Sequence, residues 1–422
     1  MQILSLVLLG IFPVLALAVL NTPDQSYVNG YQTIFEGERD FSIRMMQQIR
    51  KIYPNGNLFF SPFSTYNALL IAYFGSSKET EMELYNVLNL KWASKKEQVL
   101  SAYVVNKGQH QMRVRQSPLE LSSVNRVFVD NSVPVSENFT TLLFDEIEKM
   151  DFRYQSGNAL YEINEWIAEK TNNQIRDMLS ADQITARTMV VLANAAYMKG
   201  EWLSQFKVEK TSVKPFYINR YERTMVSMMQ QSATFKTNDD SQLQAQILKL
   251  PYRTQYKSKD PLQSRPENKS DISMVLILPS SSEVSVDDII NRLNADKLKK
   301  LVKEIYAREM EVELPKFQFE QRLRLTPILG RMGIRTMFEN RATFEDLTSE
   351  HISIDDALHV AKIKVDEMGS TAAAATVLFS SRSARQPDPT KFICDHPFLF
   401  LIYDERANTV LFAGVYSDPR QM

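Results

Sequence analysis

Along the chain, apolar residues first fall at helical spacing at Phe41, Met45, Ile49 and Ile52, which predicts a short amphipathic helix over residues 39–52. Asn55-Gly56 turns the chain, and the run NLFFSP leads to Ser64, a residue able to cap the helix that follows. Residues 65–90 keep a helical period that breaks at Gly75-Ser76-Ser77, so two consecutive helices are expected. Residues 122–130 alternate and read as a strand, and residues 161–174 read as a helix. The near-continuous apolar run of residues 189–198 ends in Lys199-Gly200 and predicts a strand buried on both faces. Later strands are expected at residues 273–278, 310–314, 360–365, 398–403 and 409–415. Residues 287–305 carry a helical period, with Lys297, Lys299, Lys300 and Lys303 near the end, where cations suit the helix dipole. A polar insert at residues 254–271 reads as a long loop. No repeat or linker divides the chain, and helices and strands interleave without a strict βαβ rhythm. One large α+β domain on antiparallel or mixed sheets is therefore expected.

The N-terminus follows different rules. Residues 3–20 (ILSLVLLGIFPVLALAVL) carry no charge, and the first acid is Asp24. A membrane span needs about 20 apolar residues, so length alone leaves an anchor open. The terminal position, Pro13 and the small-x-small triplet Ala16-Leu17-Ala18 favour a signal peptide over residues 1–18, cleaved after Ala18, although no basic residue precedes the apolar run. Residues 19–38 then form an N-terminal extension and residues 39–419 the domain. In an exported protein the single Cys394 has no internal partner and reads as a buried apolar residue. Export also gives meaning to the sequons at Asn138 and Asn268 as glycosylation sites.

Composition narrows the function. The 422 residues include 49 Lys+Arg and 50 Asp+Glu, so there is no bulk electrostatic case for nucleic acid. Four His and one Cys are too few soft ligands for a typical structural zinc site, and no metal site is expected. No G-x-S-x-G, Walker loop, G-x-G-x-x-G or H-E-x-x-H occurs, and His110, His351, His359 and His396 are scattered. A catalytic reading finds no constellation to rest on, so the protein is not expected to be an enzyme.

The unusual segment follows Glu367: EMGSTAAAATVLFSSRSARQPDPTKF. Ala372 to Ala375 would ordinarily favour helix. Here Gly369-Ser370 precede them, Thr376, Val377 and Phe379 follow, and Pro387 and Pro389 close the stretch. Counting by two, Ser370, Ala372, Ala374 and Thr376 form one small face, and Thr371, Ala373, Ala375 and Val377 form an equally uncharged second one. Such a ribbon can enter a closed sheet at little steric or desolvation cost. A short exposed helix or loop is the plainer alternative.

From about residue 40 to residue 419 the sequence resembles the serpin family of protease inhibitors. The resemblance rests on Asn57-Leu58-Phe59-Phe60-Ser61-Pro62-Phe63-Ser64, LANAAYMKGEW (192–202), LPKF (314–317), GSTAAAAT (369–376), DHPFLFLI (395–402) and LFAGV (411–415), in this order. It implies three sheets surrounded by about nine helices, with a reactive-centre loop exposed near residues 367–391. It further implies a hinge containing Glu367, Gly369, Ser370, Ala372, Ala374 and Thr376. Where the central sheet parts, it implies a shutter of Ser61, Pro62, Ser64, Asn194 and His359, and a breach that includes Trp202. An attacking serine protease would be trapped as an acyl-enzyme when the cut loop inserts as a new strand, a mode of strand addition known for serpins.

The family's spacing of sixteen residues from the hinge Glu puts the attacked bond between Ser383 and Ala384. Arg382 and Arg385 lie beside it, and a trypsin-like pocket needs a cation. The bond between Arg382 and Ser383, cut by a trypsin-like protease, is favoured; Ser383–Ala384, which suits an elastase-like pocket, comes next, and Arg385–Gln386 remains open. Met368 and Thr371 stand where the family often has Glu, and neither blocks insertion. The expected role is a secreted, monomeric inhibitor with a risk of loop-sheet polymerisation, acting in an extracellular proteolytic cascade. A non-inhibitory carrier is the alternative. Lys95, Lys96, Lys107, Arg113 and Arg115 fall where some relatives bind heparin-like glycosaminoglycans, interrupted by Glu97.

Overall fold

A computed structural model describes residues 25–115, 117–254, 270–355, 357–367 and 390–421, with side chains from Thr33 onward. In chain order the elements begin α1 (Gln25–Ile52), β1 (Leu58–Phe60), α2 (Pro62–Gly75), α3 (Lys78–Val87), α4 (Lys96–Arg115), β2 (Glu120–Asp130), α5 (Glu137–Leu142) and β3 (Ile147–Met150). They continue with α6 (Phe152–Lys170), β4 (Val190–Lys199), β5 (Ser212–Tyr217), β6 (Arg223–Asp240), β7 (Ala245–Pro251) and β8 (Ile272–Pro279). Then come α7 (Val286–Arg292), α8 (Ala295–Lys303), β9 (Tyr306–Pro315), β10 (Phe317–Arg324) and α9 (Leu325–Met332). The last are β11 (Ala357–Val365), β12 (Thr390–Ile393), β13 (Phe398–Asp404) and β14 (Thr409–Tyr416). Every expected strand is present. The insert at residues 254–271, like the signal peptide, lies almost wholly outside the described residues.

Three helices depart from the sequence pattern. The first begins at Gln25 rather than at residue 39, so the expected boundary of the N-terminal extension falls inside it; Ile34, Phe35, Glu38 and Arg39 are all buried. Residues 287–305 form two helices, because Asn294 interrupts the period and caps the second through its side chain to Lys297 N. The helix expected at 161–174 starts earlier, at Phe152, where the Asp151 side chain caps it, and ends at Lys170. The break at Gly75-Ser76-Ser77 stands where expected. α2 is buried at every position and starts with a Ser61 cap accepting from Ser64 N and Pro62 in its first turn.

Strand pairing gives two hydrogen-bonded surfaces. One runs β1-β14-β13-β8-β7-β6-β9-β12 with β5 added on β6, and the other runs β10-β11-β4-β2-β3. The three sheets implied by the resemblance are present within these two. β6 spans 18 residues and pairs with β5 at its start, β9 along its middle and β7 at its end, which joins two sheets into one. Nine α-helices surround them among the described residues.

The central strands of the five-stranded sheet, β4 and most of β11, are buried on both faces by simple alternation. On β4, Ala196 and Met198 point into the core shared with the other sheet, while Ala193, Ala195 and Tyr197 meet Ile163 and Ile167 of α6. On β11, Ala361, Ile363 and Val365 face the shared core, and Leu358 and Val360 face the cluster on the opposite side. α6 and the segment after it, through Ile175, Met178, Leu179 and Ile184, together cover this face of both strands.

Candidate functional site: the seam between β4 and β11

β4 and β11 are neighbours and run parallel, with Ala357↔Leu192 through Ile363↔Met198 in register. The strands flanking this pair, β2 and β10, are antiparallel to it. Parallel pairing needs a crossover connection and is slightly weaker per residue than antiparallel pairing. The seam is thus the natural line along which the sheet can part.

A buried polar cluster closes its middle. His359 and Asn194 are register partners, and His359 Nδ1 contacts Asn194 Oδ1 across the seam. The Ser61 backbone N–H donates to His359 Nε2 at 2.9 Å. That donor fixes Nε2 as the bare nitrogen, so the ring proton sits on Nδ1 and is shared with Asn194. Burial, which outweighs the Asn194 contact, lowers the His359 pKa to about 3, and the ring is neutral. Asn194 Nδ2 donates to Ser64 Oγ at 2.8 Å, Ser123 Oγ donates to the same oxygen at 2.9 Å, and Ser61 Oγ donates to Leu411 O at 2.7 Å. The Asn125 carboxamide closes the cluster against Asn194 and Ser64. Pro62 starts the helix that presents Ser61 and Ser64 to the seam.

The seam's open end is tied separately. Beyond β4, Trp202 Nε1 donates to Asp366 O at 2.9 Å, just past the end of β11, and the ring stacks on Tyr252 at 4.4 Å. The Phe206 N–H donates to Glu367 O at 3.1 Å. The Glu367 side chain is buried, accepts from Thr211 Oγ1 at 2.7 Å and pairs with Lys316 at 2.7 Å. Burial pushes its pKa up, but the bonds from Lys316 and Thr211 win and hold the carboxylate below its ordinary range.

The structure thus brings Ser61, Pro62, Ser64, Asn194 and His359 together, and puts Trp202 and Glu367 at one end of the same seam. Sequence reasoning missed Ser123, Asn125, Thr211 and Lys316. Gly369, Ser370, Ala372, Ala374, Thr376, Arg382, Ser383, Ala384 and Asn268 lie outside the described residues. Asn138 is exposed on α5. Cys394 is free and buried, and burial and then Asp395 raise its thiol pKa.

The expected basic patch is largely neutralised. Lys96 pairs with Glu81 and Asp346, Lys107 with Asp145 and Glu146, and Arg113 with the buried Asp404. Lys95 and Arg115 are exposed at opposite ends of α4, about 30 Å apart at 1.5 Å per residue. The other histidines serve local contacts: the His110 ring packs at a tilt on Phe63 with centroids 4.9 Å apart, His396 contacts Asp395, and His351 meets Asn340 O.

A five-stranded sheet with a parallel central seam, a polar lock in its middle and a glutamate-anchored segment at its end define a class. Residues 36–419 match the family described as Serpin (serine protease inhibitor), and the chain belongs to the serpin family. It is 53% identical over 423 residues to Serine protease inhibitor 88Ea of Drosophila melanogaster, covering 100% of this chain and 99% of that protein. Leukocyte elastase inhibitor of Bos taurus is 28% identical over 391 residues, covering 90% and 97% of the two chains. Among solved structures, maspin superposes with a TM-score of 0.80 at 22% identity, over 93% of this chain and 100% of that one. Uncleaved ovalbumin gives 0.77 at 23% identity, over 92% and 100%. Both likenesses speak to the fold.

Proposed function

We propose that the protein is a secreted suicide-substrate inhibitor of a trypsin-like serine protease, trapping its target by inserting the cut loop between β4 and β11. The observation that carries this reading is the parallel seam beside the anchored hinge. The chain leaves β11 at Asp366, so a following segment that folds back runs antiparallel to β11 and, because β4 is parallel to β11, antiparallel to β4 as well. Insertion exchanges one parallel ladder for two antiparallel ones. The seam is covered by apolar side chains on both faces, so the entering strand must be uncharged on both, as residues 370–377 are.

The energetics support a trap. Residues 370–383 would add about 46 Å of strand. At roughly 0.5–1.5 kcal/mol net per hydrogen bond, this releases on the order of 10 kcal/mol. A protease domain is stable by only about 5–15 kcal/mol, so an acyl-enzyme dragged along with the strand can have its active site distorted before hydrolysis. The inhibitor is consumed in the process. Attack between Arg382 and Ser383 suits a trypsin-like pocket, and attack between Ser383 and Ala384 would suit an elastase-like one.

Mixing the protein with trypsin is expected to yield an SDS-stable covalent complex, and Ala374→Arg to convert the protein into a substrate cut without complex formation. Cleavage of the unaltered protein with no complex would favour the carrier alternative. A heparin-like glycosaminoglycan is a weaker part of the reading, because three of its five expected cations already face carboxylates. Retention on heparin is expected to be lost at modest salt.

A further inference from the structure

The face of the β5–β6 hairpin that points away from the core is apolar where an edge ribbon is ordinarily polar. The antiparallel register pairs Val213 with Ser227, Pro215 with Met225 and Tyr217 with Arg223 on that face. Val213 is 66% exposed, Met225 58% and Tyr217 43%, and Val208 and Tyr221, on either side of the strand, are 60% and 96% exposed. The opposite face is core: Phe216 and Val226 are buried. Among the described residues β5 pairs only with β6 and leaves an edge, but the strand is six residues long and Pro215 removes a donor, which weakens it as a site for strand addition. What it offers is a face.

Its position says what covers that face. Thr211, the residue before β5, donates to the Glu367 side chain, where the reactive loop leaves the sheet. Tyr217, the last residue of β5, donates its backbone N–H to Asp395 O at 2.7 Å, two residues after β12, where the loop has returned. The two bases of the loop are therefore fastened to opposite ends of this one strand, about 20 Å apart at 3.4 Å per residue. A protease domain of about 220 residues has a radius of gyration of roughly 17 Å. A body that size engaged on a loop rooted at both ends of β5 stands over β5. Exposed aromatic, Met and aliphatic side chains are the kind that interface cores use.

We propose that Val213, Met225 and Tyr217 form a second docking surface that contacts the body of the attacking protease while the loop occupies its active site. This deepens the inhibitory reading and rests on it for the identity of the occupant. The surface adds encounter and residence without touching the scissile bond, so its loss slows attack on the loop and leaves the fate of the acyl-enzyme unchanged.

The test uses the full chain with trypsin and, in parallel, pancreatic elastase. It follows two readouts: the second-order rate at which the loop is attacked, and the fraction of attacked molecules held as covalent complex. Val213→Asp with Met225→Asp is expected to lower the rate at least tenfold for a protease that attacks the loop, with that fraction unchanged. Val104→Asp with Met112→Asp, which alters equally exposed residues of α4, should stay within twofold and controls for added charge. Unchanged melting temperatures establish that both variants fold. A hairpin variant within twofold of the parent protein overturns the docking surface even when covalent complex forms. The reverse result, slowed attack with no complex in any variant, keeps the surface and overturns the inhibitory reading. If neither protease attacks the loop, both fall.

Discussion

His359 carries the clearest chemical constraint in the molecule. It is wholly buried, accepts from a backbone N–H and shares its remaining proton with Asn194 across the seam. Its folded pKa of about 3 lies below the ordinary 6.5, so between those values the unfolded chain binds the extra proton and the folded protein does not. Stability therefore rises with pH across this window and is lost on acidification. Moving from pH 7 to pH 5 is expected to cost about 2 kcal/mol through this one group. His110, lowered to about 4 by burial and then by Arg113, acts in the same direction. Melting curves at pH 7 and pH 5 should show His359→Gln losing less than the parent protein, with the remainder traceable to His110. Equal losses would mean that the ring is not the neutral, proton-excluding group described. Ser61, Ser64 and Asn194 were legible because short runs of sequence carry them, and His359 only through what the resemblance implies. Asn125, Ser123, Thr211 and Lys316 were not, because each meets the site through a partner far away in sequence: Asn194 lies 69 residues from Asn125, and Glu367 lies 156 from Thr211.

At the scale of elements, the anchored end of β11 matters most. Glu367 is held by Lys316, which directly precedes β10, and by Thr211, which directly precedes β5, so one side chain fastens the start of the loop to two strands of different sheets. Removing either member of the Glu367–Lys316 pair is expected to destabilise the intact protein by about 1–3 kcal/mol, since the Glu is buried. The double change Glu367→Ala with Lys316→Ala should cost clearly less than the sum of the single ones in denaturant titrations. Strict additivity would show that the pair is not coupled. The same scale explains which elements the hydrophobic pattern marked. β4 is buried on both faces and announces itself as an apolar run, while β2 beside it shows as an alternation. β5 and much of β6 are not marked, because one of their faces is exposed and its Val213, Met225 and Tyr217 blur the alternation. The first half of α1 is unmarked for another reason: Glu38 and Arg39 sit among its buried residues, and only the tertiary packing of Ile34 and Phe35 reveals that the helix extends so far.

On the proposed inhibitory reading, the whole molecule is poised between two arrangements of one sheet. In the intact arrangement β4 and β11 are joined by a parallel ladder, locked at its middle by His359 and Asn194 and at its end by Trp202 and Glu367. In the other, on the inhibitory reading, the cut loop lies between them, and the layer of α6 and residues 175–184 that covers both strands must yield as they separate. The likeness to serpins was legible from separated motifs, several of which are buried strands of the two sheets: residues 192–199 lie in β4, 398–402 in β13 and 411–415 in β14. The order of its strands was not, since strand neighbours such as β4 and β11 are set by tertiary pairing and lie far apart in the chain. The most direct test compares the melting temperature of the intact protein with that of the same protein nicked once in the loop. Releasing on the order of 10 kcal/mol in a domain of about 400 residues, whose unfolding entropy is roughly 0.84 kcal/mol/K, predicts a rise of about 12 °C. A nicked protein that melts at or below the intact temperature would contradict the account.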